Sequence, residues 1–271
     1  MTDRLITVVL TVILLTGAGM LFYPSVSEWW NSAHQTHAVT SYGSVVNEAN
    51  GAELAVIRKN AHAYNERLAK EGNSWFLTDE QMADYKSQLV VAGSSVMGYV
   101  EIPAIDCTLP IYHGTDESVL QVAVGHIEGS SLPVGGESTH SVVSGHRGLP
   151  SAKLFTDLDE LAEGDVFLLR VLGETLTYEV DQILTVEPHD VEALEVIEGE
   201  DYCTLVTCTP YGVNSHRLLV RGHRVDGDFL GEVHVPADAV LVDSNVVAAC
   251  IAAPVLLVLF VAAMAWPRRR G

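Results

Sequence analysis

Residues Thr204 to Arg217 read TLVTCTPYGVNSHR, which places a cysteine and an arginine on the two sides of a predicted turn. An apolar, β-rich run ends on Cys208, a proline and a glycine predict a turn, and a second β-like run begins at Arg217. If the two runs are adjacent antiparallel strands, the spacing brings the thiol and the guanidinium to one strand end. A thiol beside a cation is typical of a nucleophilic cysteine, although a buried, inert Cys208 is the alternative.

The second run alternates in a way that predicts two different faces. Arg217, Leu219 and Arg221 share one face of the predicted strand, while Leu218 and Val220 share the other. Two arginines among apolar residues indicate that one face lines a polar groove. A permanently charged guanidinium there could lower the pKa of a thiol or hold a carbonyl oxygen.

A nucleophilic thiol also needs a proton carrier, for which histidine is the usual residue. His146 ends a β-like run within Ser-Gly-His-Arg-Gly, where flanking glycines permit a sharp turn at a strand end. The sequence pattern ranks His146 above His126, His140 and His216 but does not decide among them. Each of the four could equally be a structural or surface histidine.

From Met97 onward the chain consists of short runs rich in Val, Ile, Thr, Leu and Tyr, separated by Gly, Pro, Asp or Asn. Seven or eight such runs with few helices predict a mainly β fold, a closed or nearly closed barrel. Leu172-Gly173-Glu174 predicts a hairpin turn, and Ser151 to Leu161 predicts a short amphipathic helix. The runs are MGYVEIP, CTLPIYH, HSVVSGH, DVFLLRVLG, TLTYEVDQILTVEP, YCTLVTC and RLLVRGHRV.

The region before the barrel has helical character. Apolar residues recur every three to four positions from Val45 to Lys70, and Gly72 predicts the end of that helix. Thr78 is a good N-cap for a second helix, Asp79 to Leu89. Between the two helices stand two large aromatic residues, Trp75 and Phe76, which must pack on something.

Two uncharged segments are long enough to cross a bilayer. The first is Leu5 to Tyr23 and the second is Val246 to Trp266, which three arginines follow. The positive-inside rule places both chain ends in the cytoplasm and residues 24–245 outside. The first segment could instead be a cleaved signal peptide, and the second a buried core helix.

The part between the two segments is strongly acidic. The chain has 15 basic and 35 acidic residues, and 11 and 34 of these lie between the segments. Such a surface disfavours the binding of nucleic acid and anionic lipid headgroups, and it either attracts a basic partner or is only a solvated surface.

Neither a metal-ligand cluster nor a nucleotide-binding motif is present in the sequence, so no metal or organic cofactor is expected. The four cysteines form no disulfide framework, although a Cys107–Cys203 bridge is possible.

TLVTC followed by TPYGVNSHRLLVRG resembles the signature of the sortases, and it is most similar to class C, the pilin-polymerising branch. MGYVEIPAIDCTLPIYHGT and the later SGHRGLP resemble the same branch, and the likeness covers residues 64–225. It implies a closed eight-stranded sortase-type β-barrel with an N-terminal helical segment and two flanking transmembrane helices. It also implies a cell-surface enzyme on a Gram-positive membrane, in contact with membrane lipid.

The resemblance implies residue roles by matching position. Cys208 matches the nucleophile, His146 the catalytic histidine and Arg217 the catalytic arginine. Thr207 and Leu205 are then expected to bind substrate, with Thr207 helping to stabilise the oxyanion. The implied substrate is an LPXTG-like sorting signal, cleaved between Thr and Gly and joined to a lysine amine of another pilin subunit.

One departure from the class C pattern concerns the lid. Class C sortases usually plug their site with an Asp-Pro-aromatic motif, and Asn73-Ser74-Trp75-Phe76 stands in that place here. Trp75 or Phe76 could fill the groove as an apolar plug, or these aromatics could only staple the helices to the barrel.

Three rival functions remain: a sortase of another class that anchors proteins to cell-wall peptide, a non-catalytic membrane-anchored scaffold, and a thiol peptidase. The predicted division of the chain is 1–23 N-terminal anchor or signal peptide, 24–95 helical segment with a possible lid, 96–230 catalytic barrel, 231–245 juxtamembrane linker, and 246–271 C-terminal transmembrane helix with a basic tail.

Overall fold

A computed structural model describes residues 2–227 of the chain. The predicted linker 231–245 and the second predicted span lie outside the described residues. Those described form two compact units, one containing residues 2–30 and the other beginning at Asn31.

The first helix, α1, runs from Thr2 to Glu48 with Pro24 inside it. It contains the predicted segment Leu5 to Tyr23. The apolar window of this helix has a mean hydropathy of 2.5 and no buried residue. By length and composition the helix could cross a membrane, and a signal sequence would have the same properties.

Residues 31–48 of α1 pack on the barrel, where Tyr42 makes the main polar contact. The buried Tyr42 hydroxyl donates to the Met97 carbonyl and accepts from the Leu172 N–H, both at 2.9 Å. Burial raises the pKa of this hydroxyl to about 12, so it stays protonated as the donor that Met97 requires. Tyr42 thus joins the first strand of the barrel to a hairpin turn.

Two further helices precede the barrel. Helix α2 (Gly51–Glu71) begins at an Asn50 N-cap and ends at Gly72, whose φ of 84° suits only glycine. The predicted helix from Val45 is therefore divided, because Asn50 has extended backbone and starts a new helix. Helix α3 (Asp79–Ser87) begins with a capping box formed by Thr78 and Gln81, which confirms the predicted N-cap.

Eight strands form a closed barrel in the order β1-β2-β3-β4-β7-β8-β6-β5, which confirms the expected fold. All neighbouring pairs are antiparallel except β2–β3 and β4–β7. A short helix, α4 (Glu117–Leu120), precedes β3, the three-residue strand that the sequence pattern missed. The strands are β1 Val96–Ile102, β2 Cys107–His113, β3 Val124–His126, β4 Thr139–Ser144, β5 Val166–Val171, β6 Glu174–Val186, β7 Asp201–Thr209 and β8 His216–Arg224.

The prediction of a helix from Ser151 to Leu161 is wrong. Only a single 3-10 turn, Leu158–Glu160, forms there. Leu154 has a φ of 43°, and both Leu154 and Phe155 are buried side by side. A residue in the left-handed region cannot continue a right-handed helix, so the segment folds irregularly while both side chains enter the core.

The hairpin turn predicted at Leu172-Gly173-Glu174 is confirmed. It joins β5 to β6, and Leu172 and Gly173 both have positive φ, as a two-residue turn between antiparallel strands requires.

Candidate active site

The two arms of the turn between Cys208 and Arg217 are paired strands. Strands β7 and β8 are antiparallel, and Cys208 stands directly opposite Arg217 in their register. Opposite residues of an antiparallel pair project from the same face of a sheet, so the thiol and the guanidinium share a face. Both side chains are partly exposed.

His146 reaches the same strand end from the other side of β7. Strand β4 is parallel to β7, with Ser144 opposite Val206, and the Gly145 N–H continues the ladder by donating to the Val206 carbonyl at 3.0 Å. Extending this register by two residues beyond the end of β4 places His146 level with Cys208. The strand order therefore brings an imidazole, a thiol and a guanidinium to one end of three adjacent strands.

Glycine is required before the histidine for packing reasons. A Cβ on Gly145 would lie 2.7 Å from the Phe155 ring and 2.9 Å from a Val124 methyl. The sequence predicted a turn as the reason for this glycine, and the structure shows close packing instead. The Phe155 N–H also donates to the His146 carbonyl at 3.1 Å, which fixes the backbone of the candidate base.

Burial separates the four candidate histidines. His126 is enclosed in the core, its ring within hydrogen-bond distance of Tyr85 and Ser131, and burial lowers its pKa to about 4. His140 is likewise buried between Thr204 and Glu195, and burial lowers its pKa to about 4. Both are structural histidines that stay neutral at physiological pH.

The other two histidines are partly exposed, but their positions differ. His216 stands opposite Thr209, one position away from the Cys208 pair, so it projects from the other face of the sheet. His216 is bonded to the Ser215 hydroxyl at 2.8 Å. Of the four, only His146 stands at the end of β4 that is level with Cys208.

The guanidinium of Arg217 makes only backbone hydrogen bonds in the described part of the chain. It donates to the carbonyls of Asn214 at 3.4 Å and His216 at 3.1 Å, and no carboxylate lies within salt-bridge range. Arg221, on the same face, is instead neutralised by a two-pronged contact with Asp181 at 2.9–3.0 Å. Arg217 therefore keeps its charge available to a bound ligand.

Behind these residues the same face becomes apolar. Val206 is two residues before Cys208, and Leu219 is two residues after Arg217, so the four share one face. Val206 and Leu219 form a small cluster with Val142 and Leu194, which is separate from the barrel core. Trp75 packs against this cluster, which we call the groove cluster.

Two residues expected to bind substrate lie on the wrong face. Leu205 has no exposed surface and belongs to the barrel core, so we assign it to packing rather than to substrate contact. Thr207 is also buried, and its hydroxyl donates to the Gly145 carbonyl at 2.8 Å. Because that hydroxyl donates its hydrogen bond within the barrel wall, the structure does not support stabilisation of an oxyanion by the Thr207 side chain.

The remaining thiols in the described residues are unreactive. Cys107 and Cys203 are free, so the possible bridge between them is absent. Burial raises the pKa of the Cys107 thiol to about 12 and raises that of Cys203 well above its ordinary value. Cys203, five residues before Cys208, lies in the core as the strand alternation predicts.

Asn73 and Arg147 also belong to this region, although the sequence pattern indicated no chemical role for either side chain. The Asn73 amide donates to the Leu194 carbonyl and accepts from the Val196 N–H, both at 3.3 Å. Arg147 contacts both Thr209 and Asp159. Their positions beside Trp75 and His146 in the sequence were the only available signals.

A closed barrel that presents a cysteine, a histidine and an arginine with no carboxylate partner within residues 2–227 at one strand end has the architecture of a cysteine transpeptidase. A model of the Sortase domain matches residues 100–225, and the chain belongs to the sortase family.

Solved class C sortases are among its structural neighbours. Sortase C1 from Streptococcus agalactiae is 52% identical, with a TM-score of 0.69, covering 71% of this chain and 100% of that one. Sortase C from Streptococcus pneumoniae is 48% identical, with a TM-score of 0.64, covering 70% and 97%.

Curated relatives match over a shorter region. Sortase D of Bacillus subtilis is 33% identical over 131 residues, which is 47% of this chain and 63% of the relative. The chain thus spans about half to two thirds of the length of the first curated relatives that it matches.

Proposed function

We propose that the chain is a class C sortase, a transpeptidase that cleaves an LPXTG-like sorting signal between Thr and Gly and joins it to a pilin lysine. The observation that carries the proposal is the Cys208–Arg217 pair on one face, with His146 two residues beyond the end of the neighbouring strand β4. The pilin substrate rests on the class C neighbours, of which the Streptococcus pneumoniae enzyme is described in terms of pilin substrate specificity.

In the first half-reaction the Cys208 thiolate attacks the carbonyl carbon of the threonine. A C–S bond forms, the Thr–Gly C–N bond breaks, and His146 gives a proton to the leaving glycine amine. Arg217 holds the carbonyl oxygen while negative charge develops on it. The product is a thioester between Cys208 and the sorting signal.

In the second half-reaction a lysine amine of another pilin attacks the thioester. The new C–N bond replaces the C–S bond, His146 takes the proton from the amine, and the Cys208 thiolate leaves. Six carboxylates in the β6–β7 connection, residues 187–200, favour the approach of a basic acceptor. No step requires a metal or an organic cofactor.

We further propose that the reaction takes place outside the cell, with α1 as a membrane anchor. A membrane-held enzyme and a membrane-held pilin search a plane rather than a volume, which raises their effective concentration.

The full chain in detergent tests this function when it is given an LPXTG peptide and a lysine-bearing pilin domain. We expect an isopeptide-linked product whose yield rises with acceptor concentration. A peptidoglycan-type amine in place of the lysine tests the rival sortase class. Hydrolysis that added amines leave unchanged would identify a thiol peptidase and contradict the proposal.

We also propose that Trp75 acts as a lid over the groove cluster. Trp75 packs against the groove cluster, which includes the residues two positions from Cys208 and Arg217, where the apolar part of a sorting signal would lie. Asn73 holds the segment to the β6–β7 connection by two hydrogen bonds. Gly129 is needed beneath it, since a Cβ there would lie 2.0 Å from the Ser74 carbonyl oxygen.

Trp75 contains a polar group without a hydrogen-bond partner in the described residues, and this suits a lid that can open. The Trp75 indole N–H is buried, and no acceptor for it exists among the described residues. An unmade hydrogen bond at a buried donor costs about 1–3 kcal/mol. Apolar packing therefore holds Trp75 in place despite the free-energy cost of this unmade hydrogen bond, and a bound substrate could displace the indole ring.

Replacing the tryptophan tests the lid directly. We expect Trp75→Ala to raise the rate of thioester formation at low peptide concentration by about tenfold, because the groove no longer has to be vacated first. Asn73→Ala should raise it by a smaller factor. Initial rates by mass spectrometry give the comparison.

Phe76 is the matched control, because it is 94% exposed and makes little contact. Phe76→Ala should leave the rate unchanged. A Trp75→Ala variant that melts at a lower temperature without reacting faster would show that Trp75 only staples the helices to the barrel.

A further inference from the structure

The residues on either side of Cys208 are each tied to a residue beside His146. Thr207, which precedes Cys208, donates its hydroxyl to the carbonyl of Gly145, which precedes His146, at 2.8 Å. Thr207 is 1% exposed, so water does not compete for this bond.

The second tie lies on the other side of the pair. Arg147, which follows His146, donates to the hydroxyl of Thr209, which follows Cys208, at 3.5 Å. This long bond is supported by other contacts, because Arg147 also pairs with Asp159 and lies over the Tyr211 ring at 5.8 Å. The Arg147 side chain is only 10% exposed.

These ties matter because the backbone ladder ends before the site. Strand β4 stops at Ser144, and the last ladder bond joins the Gly145 N–H to Val206. His146 itself has no backbone bond to β7 among those that the structure shows in the described residues. Side chains must therefore set the spacing between the two strands at the level of Cys208.

We propose that Thr207 and Arg147 are positioning residues that bracket the Cys208–His146 pair and set the distance between thiol and imidazole. This role rests on the proposed function, in which His146 exchanges a proton with the reacting groups. A misplacement of about 1 Å in such a pair can lower a rate by about a hundredfold. Thr207 projects from the face opposite the one that carries Cys208 and Arg217, so substrate affinity depends little on its hydroxyl.

Thr207→Val keeps the shape of the buried side chain and removes the hydroxyl. We expect a fall in kcat of about tenfold to a hundredfold with KM changed less than about twofold. Thr207→Ser restores the donor and should recover most of the lost kcat. Thr209→Val, at the weaker tie, should lower kcat by a smaller factor.

A second measurement needs no turnover. Iodoacetamide alkylation of Cys208, followed across pH by mass spectrometry of its peptide, reports the coupling between thiol and imidazole. We expect His146→Ala to move the midpoint of this profile, Thr207→Val to move it in the same direction, and Thr207→Val to add nothing in the His146→Ala background.

Thr139→Val is the matched control, because Thr139 is a buried threonine at the other end of β4 whose hydroxyl donates to the Gly136 carbonyl at 2.7 Å. It should change the melting temperature and leave both kcat and the alkylation midpoint unaltered.

If Thr207→Val or His146→Ala leaves the alkylation midpoint unchanged, the proposed positioning role is wrong. If Thr207→Val does not fold, unchanged kcat and midpoint in Thr209→Val overturn it instead. Full turnover in His146→Ala would show that the proposed function itself has failed, whatever the Thr207 variants do.

Discussion

We expect Cys208→Ala to abolish thioester formation and to lower the transpeptidation rate by at least about a thousandfold. The reason is that the attacking sulfur forms the covalent intermediate, and no neighbouring group can replace it. In the described residues the other thiols are Cys107 and Cys203, whose pKa values burial raises. The measurement is the mass of the intact protein after incubation with peptide alone, where the wild type gains an acyl adduct.

Cys203→Ala is the control for this experiment. Cys203 lies on the same strand, five residues earlier, but projects into the core. We expect this variant to unfold at a lower temperature and to form the adduct at the wild-type rate. An adduct located on any cysteine other than Cys208, or turnover in Cys208→Ala, would contradict the site assignment, whereas a wild type that forms no adduct and shows no turnover would favour the non-catalytic scaffold.

The β-barrel was largely predictable because the sequence signals for each strand lie within the strand and the turns beside it. Each long strand alternates or carries a dense β-branched run with turn residues at both ends, and seven of the eight were located this way. Strand β3 was missed because three residues are too few for any periodicity to be visible. The segment 151–161 was misread because Leu154 and Phe155 are buried by tertiary packing, which overrides the helical pattern.

The candidate site was predictable in part, and the limit has a physical cause. The Cys208–Arg217 pairing follows from one hairpin, whose arms are close in the sequence. The position of His146 depends on β4 lying parallel to β7, a contact between segments about sixty residues apart that composition does not reveal. Leu205 was assigned to substrate from the signature alone, although the strand alternation that places Cys208 in the groove places Leu205 in the core.

Arg217 is the candidate catalytic residue whose expected role depends on both the charge and the planar shape of its side chain. Arg217 stands opposite Cys208, and no carboxylate in residues 2–227 neutralises it. We expect Arg217→Ala to lower kcat by about a hundredfold to a thousandfold, because the developing oxyanion loses its donor in a site where no counter-charge competes. Arg217→Lys keeps the charge but loses the planar fork, so it should recover only part of the rate.

Arg221→Lys provides the comparison, since Arg221 lies on the same face four residues further along and its guanidinium is held by Asp181. Replacing it removes one prong of that contact and should lower the melting temperature while kcat stays near the wild-type value. Single-turnover rates of thioester formation at saturating peptide separate the two arginines, because they exclude effects on binding. If Arg217→Lys reacts at the wild-type rate, charge alone is sufficient and the fork has no role in holding the carbonyl oxygen. If Arg217→Ala also does, Arg217 does not belong to the reacting group, and the site reduces to a thiol and an imidazole.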